Sequence, residues 1–215
     1  MRYPHARILV FCKPPIPGQA KTRLIPALGA EGASYLHAEL ARATVARAVR
    51  SALAPVELWA SAAPEHAFFQ HLRADFECGL LTQHGDDLGA RLAHALKTTL
   101  ADADFAVLIG TDCPALDEHY LAEACAALAN GADAVLGPAE DGGYTLIGLR
   151  HMDKRLFEGV AWGTDRVLSE TRERLTALGW RWQELETLWD VDLPEDLERL
   201  MATHTELIVD PFPGG

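Results

Sequence analysis

The sequence predicts an α/β protein: a mostly parallel sheet covered by helices on both faces. Three observations carry that prediction. Apolar runs of strand length alternate with longer helical stretches along nearly the whole chain. Several runs, FAVLIG at 105–110 among them, are continuously apolar, as strands buried on both faces are. Polar, glycine-rich segments recur just after these runs, where loops leave the carboxyl ends of parallel strands.

The elements follow in order. ARILVFC (6–12) reads as a strand, and KPPIPGQAKTRLIPALG (13–29) is too rich in Pro and Gly to be a regular element. Residues 31–53 are Ala-rich with helical spacing and predict a long helix. VELWA (56–60) predicts a strand, 64–75 a helix with Pro64 near its start, and GLLTQ (79–83) a third strand. GDDLGARLAHALKTTLA (85–101) is a loop entering a helix. After 105–110, Asp117 suits the cap of a helix running to about Ala129. ADAVLGP (132–138) and YTLIGLR (144–150) predict strands five and six. A helix over 163–179 closes at Gly179, RWQELE (181–186) alternates like a half-exposed strand, and 193–204 predicts a last helix. Residues 205–215 are expected to be a loose tail. No repeat or linker interrupts the chain, so 1–215 reads as one domain.

With 215 residues, 49% of them hydrophobic, the chain can bury a sizeable core. Its formal charge of −12 argues against non-specific binding to nucleic acid or anionic membrane. The N-terminus shows neither a signal peptide nor a membrane anchor, because Pro14 and Pro15 cut the first apolar run short. The four cysteines are scattered without a CxxC pair, which fits reduced thiols in a cytoplasm better than zinc or disulfides. Most of the nine histidines are expected at the surface.

Five chemically rich loops fall at one edge of the expected sheet. The first carries Lys13, Lys21 and Arg23 with Gly18 between them. Cations beside backbone N–H groups suit a phosphate or diphosphate, although neither a Walker A nor a GxGxxG spacing is present. In GTDCP, Asp112 ends a buried strand and Pro114 stops the ladder. A carboxylate there suits Mg²⁺ or Mn²⁺ near diphosphate oxygens, and equally the cap of the next turn. In WDVDLPED, Asp190 and Asp192 face one side of an extended segment, Asp192 equally suits a helix cap, and Glu195 and Asp196 belong to a helix start. In GPAEDGGYTLIG, Gly142 and Gly143 make a turn that is either a plain hairpin or an acceptor site at which Glu140 and Asp141 are candidates for a general base.

Taken together, FCKPPIPGQAKTRL (11–24), DDLGARL (86–92), LIGTDCPAL (108–116), VLGPAEDGGYTLIGL (135–149), WGT (162–164) and DVDLPEDL (190–197) resemble a bacterial glycosyltransferase-like family. Its fold is that of the nucleotide-diphospho-sugar transferases (GT-A type), and some members are of the arsenosugar-biosynthesis type. More distantly the chain resembles the molybdenum-cofactor and 2-phospholactate guanylyltransferases. The resemblance implies a Rossmann-like three-layer sandwich that binds a nucleotide or nucleotide-sugar. It implies nucleotide contacts from Cys12, Lys13, Pro14, Gly18, Lys21 and Arg23, from Gln83, Asp87, Leu88 and Gly89, and from Gly110 and Thr111. Asp112 and Asp192 would hold Mg²⁺ or Mn²⁺, with Asp112 and Asp141 catalytic. Gly142, Gly143, Tyr144, Trp162, Gly163 and Thr164 would shape the acceptor or sugar side. Where GT-A enzymes usually carry DxD, Asp112 stands alone, and Pro114 occupies the place of a second acid.

Glycosyl transfer from a nucleoside diphosphate-sugar to a small-molecule acceptor is the first expectation. Nucleotidyl transfer from a triphosphate to a phosphorylated small molecule is the alternative, and a nucleotide-binding module without turnover the third. A homodimer is an allowed assembly.

Overall fold

The computed structural model describes residues 1–207. Seven strands form one sheet in the order β3-β2-β1-β4-β6-β5-β7. They are β1 (Arg7–Cys12), β2 (Val56–Ala60), β3 (Gly79–Thr82), β4 (Ala106–Ile109), β5 (Ala134–Pro138), β6 (Tyr144–Leu149) and β7 (Trp182–Glu184). Every pairing is parallel except those of β6, which runs antiparallel between β4 and β5. The helices are α1 (Ile25–Arg50), α2 (Ala67–Phe76), α3 (Leu88–Thr99), α4 (Glu118–Ala129), α5 (Val167–Ala177) and α6 (Pro194–Thr203).

Alternation explains the continuously apolar strands. Ile8 and Val10 of β1, with Val107 and Ile109 of β4, pack in a core that includes Val45 of α1, Leu72 of α2 and Leu121 of α4. Leu9 and Leu108 point the other way, into a core with Leu92 and Leu96 of α3 and Leu168 and Leu175 of α5. Both faces are therefore covered, and a strand with two buried faces has no place for a polar residue. The sequence expectation of a three-layer, mostly parallel α/β fold is met.

A third core binds the start of α1 to the chain's end. Leu24, Leu36 and Leu40 pack with Trp189, Val191, Leu197, Leu200 and Leu207. This core fixes residues 189–192 beside the first loop.

Some boundaries differ from expectation. The first loop is not wholly irregular: Thr22–Leu24 form a 3-10 turn and α1 begins at Ile25. Its regular geometry breaks at Gly29, at φ 70° and ψ 168°, so the long helix proper starts where the Ala-rich pattern does. Pro64 lies outside α2, whose cap is His66. Residues 205–207 form a 3-10 turn with Leu207 buried, because a leucine beside an apolar core gains more by packing than by staying loose. The rest of the expected tail lies outside the described residues.

Candidate functional site

Strand order reverses at β1, between β2 and β4, and loops leave the carboxyl ends of β1 and β4 side by side. In open α/β sheets this is where a crevice forms. The loop after β1 brings in Lys21. Its backbone is left-handed (φ 48°, ψ 45°), and its side chain is 1% exposed. The ammonium lies 2.7 Å from Asp112 Oδ1 and donates to the Val191 carbonyl. A buried ammonium needs such partners, since desolvation would otherwise drive off its proton.

Asp112 follows β4 and keeps its backbone carbonyl bonded to Val191 N–H at 2.9 Å. Oδ1 is buried while the side chain as a whole is 42% exposed, so the second oxygen faces the crevice. His37, on the buried stripe of α1, donates from Nε2 to the Lys13 carbonyl at 2.9 Å. That places Nδ1 3.8 Å from Asp112 Oδ1, without a hydrogen bond. Burial pulls the Asp112 carboxyl upward, but Lys21 and then His37 outweigh it and hold the group well below the usual carboxylate range. Asp112 is therefore an anion at any ordinary pH.

The 188–192 segment reaches the crevice by extending the sheet. Leu188 bridges Ala139 in parallel, and Glu140 N–H donates to the Leu188 carbonyl at 2.9 Å. Asp190 and Asp192 then project into the crevice from alternate positions. Asp192 pairs with Arg23 at 2.7 Å. Asp190 is pushed up to about 7 by burial first, then by the charges of Asp112 and Asp141. Asp196 accepts from the backbone N–H groups of Asp192 and Leu193, and so closes the start of α6.

Two hollows meet here. One, of about 360 Å³, is lined by Arg23, Asp112, Glu140, Asp141, Asp190, Asp192, Leu193 and Asp196. The other, of about 220 Å³, is mainly apolar and includes Phe11, Leu88, Leu108, Gly110, Gly143, Tyr144 and Trp162. Only Asp141 and Asp190 line both.

Asp141 sits in the turn between β5 and β6, with Oδ1 accepting from Gly143 N–H at 2.8 Å. The turn is a hairpin, as one of the two sequence readings has it, and it is packed tightly. Gly142 has φ 86°, and a Cβ there would meet the Asp165 carbonyl oxygen at 2.3 Å. The wall of the apolar hollow needs another glycine. A Cβ at Gly89 would lie 2.5 Å from Trp162 Nε1, so the indole rests directly on the first turn of α3.

The structure thus brings Arg23, Asp112, Asp141 and Asp192 into the acidic hollow, and Leu88, Gly110, Gly143, Tyr144 and Trp162 into the apolar one. The other expected site residues line neither. Cys12 is buried with its thiol on the Lys13 carbonyl, Pro14 and Thr111 are buried, and Lys13 and Gly18 are exposed. Gln83 is buried and donates to the Trp59 carbonyl at 2.8 Å. Asp87 caps α3 by accepting from Ala90 N–H at 2.7 Å. Gly163 supplies a positive φ of 77°, and Thr164 donates to the Ala161 carbonyl at 2.7 Å.

The structure adds two residues to the expected site. His37 stands apart from the surface expected of most histidines: it repeats with Ala33, Ala41 and Thr44 on the inner face of α1, and that spacing is its signal in the sequence. Asp190 joins Asp192 in the hollow, and the i, i+2 pairing is the signal for both.

The donor set is hard oxygen: five aspartates and Glu140 line one hollow, and the carboxylate of Asp112 is held ionised. That chemistry fits Mg²⁺ or Mn²⁺. Among the described residues no group of three or more His, Cys, Asp or Glu is already arranged around a metal position.

The model of a family described as "Uncharacterized protein conserved in bacteria (DUF2064)" matches residues 44–164. No curated protein matches the chain. Among solved structures, a provisionally assigned nucleotide-diphospho-sugar transferase from Desulfovibrio desulfuricans G20 is 27% identical, with a TM-score of 0.85 over 97% of this chain and 92% of that one. The 4-diphosphocytidyl-2C-methyl-D-erythritol synthase of Anaerococcus prevotii DSM 20548 is 12% identical, with a TM-score of 0.61 over 93% of this chain and 95% of that one. Glucosyl-3-phosphoglycerate synthase from Mycobacterium tuberculosis, solved with Mn²⁺ and UDP, is 8% identical, with a TM-score of 0.55 over 97% and 80%. The fold is that of the nucleotide-diphospho-sugar transferases.

Proposed function

The chain belongs to the DUF2064 family, and from that premise we propose that it is a transferase whose acidic crevice works on a nucleotide diphosphate group. Glycosyl transfer from a nucleoside diphosphate-sugar is the reading the geometry supports best. One observation carries it: Asp112, Asp190 and Asp192 converge in a single hollow beside Arg23, at the sheet's crossover point.

Asp112, with Asp190 or Asp192, would hold Mg²⁺ or Mn²⁺. When bound, the ion supplies positive charge against the leaving diphosphate. The chain's own residues do the rest. Lys21 keeps Asp112 ionised and its free oxygen aimed outward. Arg23 adds a cation at the same rim, where the phosphate charge of the leaving group develops. Asp141, with one oxygen tied to Gly143 N–H, keeps the other for the acceptor hydroxyl proton. In this reaction the acceptor oxygen bonds to the anomeric carbon, the bond from that carbon to the diphosphate oxygen breaks, and the proton passes to the carboxylate. The motif resemblance to the arsenosugar-type glycosyltransferases supports the same reading.

Nucleotidyl transfer is the second reading, supported by the likeness of fold to the 4-diphosphocytidyl-2C-methyl-D-erythritol synthase above and to a cytidylyltransferase from Leptospira borgpetersenii. Product analysis separates the two. With nucleoside diphosphate-sugars, Mg²⁺ and an acceptor panel, a nucleoside diphosphate is expected. Pyrophosphate from a triphosphate instead would establish the second reading. A thermal-shift titration that shows no metal-dependent stabilisation by any nucleoside diphosphate or triphosphate would sink both.

A further inference from the structure

The two hollows differ in chemistry, and the difference bears on the acceptor. The acidic one holds Arg23 at its rim. Among the described residues the apolar one is lined by no Lys, Arg or His, and its polar side chains are Thr145, Asp141 and Asp190, beside the phenol of Tyr144. The Tyr144 hydroxyl itself is buried, so that residue offers the hollow its ring. Leu88 stands 44% exposed at the mouth, and Trp162 closes the wall against Gly89.

We propose that this apolar hollow is the acceptor subsite and that it takes an uncharged alcohol with an apolar face, not a phosphorylated compound. The proposal rests on the transferase reading above. Four points carry it. The hollow lies beyond Asp141 and Asp190 from Arg23 and Asp112, opposite the diphosphate side, where an attacking group must approach. A base for the acceptor proton has to lie within reach of the hydroxyl, and these two carboxylates are the border of the hollow. A volume of about 220 Å³ suits a single ring rather than a nucleotide. A phosphate placed there would meet two carboxylates and no lining cation, a like-charge juxtaposition that selects against it.

The test uses 2-phenylethanol and phenyl phosphate as probes, titrated calorimetrically or by NMR into the full-length protein. The wild type is expected to bind the alcohol and to bind the phosphate at least about tenfold more weakly. Leu88→Lys, at an exposed position that leaves the core intact, should raise phenyl phosphate affinity and erase most of that gap. Trp162→Ala should weaken the alcohol. Equal or tighter binding of phenyl phosphate by the wild type overturns the proposal. So does a wild type that binds nucleoside diphosphates with Mg²⁺ but never 2-phenylethanol. The nucleoside diphosphate titration is run separately: its failure brings down the transferase reading, and the name acceptor with it, whatever the alcohol does.

Discussion

At the residue scale, the site turns on how few charges are left unpaired. Lys21 is a non-glycine residue in the left-handed region, held there by what its ammonium touches. Replacing it by Met should destabilise the protein by about 1–3 kcal/mol, less than a fully buried pair because Asp112 is partly open. Chemical denaturation would measure this, and an unchanged midpoint would show that the pair is worth nothing. Asp190 gives a pH signature. Its folded-state value of about 7 is above the ordinary carboxyl value, so its protonated form favours the fold. That contribution is complete below about pH 4 and is lost as pH rises through 7. Asp112 runs oppositely: its value is lowered, so its contribution is present above the ordinary carboxyl range and lost only in strong acid. Asp190→Asn should therefore flatten the decline in stability between pH 5 and 8, measured by urea midpoints. A slope equal to wild type would show that another group titrates there. Tyr144→Phe removes a buried hydroxyl that has no hydrogen-bond partner among the described residues, and should leave the melting temperature unchanged or raise it.

At the scale of elements, the site is an agreement between loops and the helices that hold them. Gly89 lets Trp162 lie against α3, and overpacking that contact costs about 1–3 kcal/mol in well-packed proteins. Gly89→Ala should lose stability in that range, with part of it recovered in a double variant with Trp162→Ala, since the new Cβ would still meet the Phe157 carbonyl oxygen at 2.9 Å. Additive losses by differential scanning calorimetry would show that the two do not share this contact. The hairpin between β5 and β6 is anchored to α5 in the same way, since Leu168 N–H donates to the Gly142 carbonyl at 2.9 Å. The element pattern was legible because the central strands β1 and β4 face two cores while helices such as α3 and α4 face one, which leaves a period in the sequence. Element ends were less legible. The Pro-rich first loop hid a 3-10 turn, and α2 starts at a histidine cap instead of a proline.

At the scale of the whole molecule, a chain with net charge −12 must concentrate cations to hold a diphosphate. Lys21 spends its charge inward on Asp112, and Arg23 stands at the rim in an ion pair with Asp192. A divalent ion would offset the remaining acids of the hollow. Mg²⁺ or Mn²⁺ should accordingly stabilise the wild type, more at pH 8 than at pH 6 because Asp190 is then ionised. Asp112→Asn should abolish that stabilisation and should also lower the metal-free melting temperature, because it leaves the buried Lys21 ammonium without its carboxylate. A metal response that survives the substitution would move the ion elsewhere. Arg199 braces the rim from α6, pairing with Glu140 at 3.0 Å and lying over the Trp189 ring at 4.4 Å.

The sequence by itself determined the strand and helix order, the buried sheet, and the set of loops at one edge, because burial on both faces of a strand is written in local composition. It also pointed to Asp112 as the acid at a strand end. Tertiary packing alone set the partnership among loops far apart in the chain: Lys21 turned inward to Asp112, His37 behind it, and Asp141 and Asp190 shared by both hollows. Those roles depend on burial and on charges within a few ångströms, and neither is a property of any short stretch of sequence.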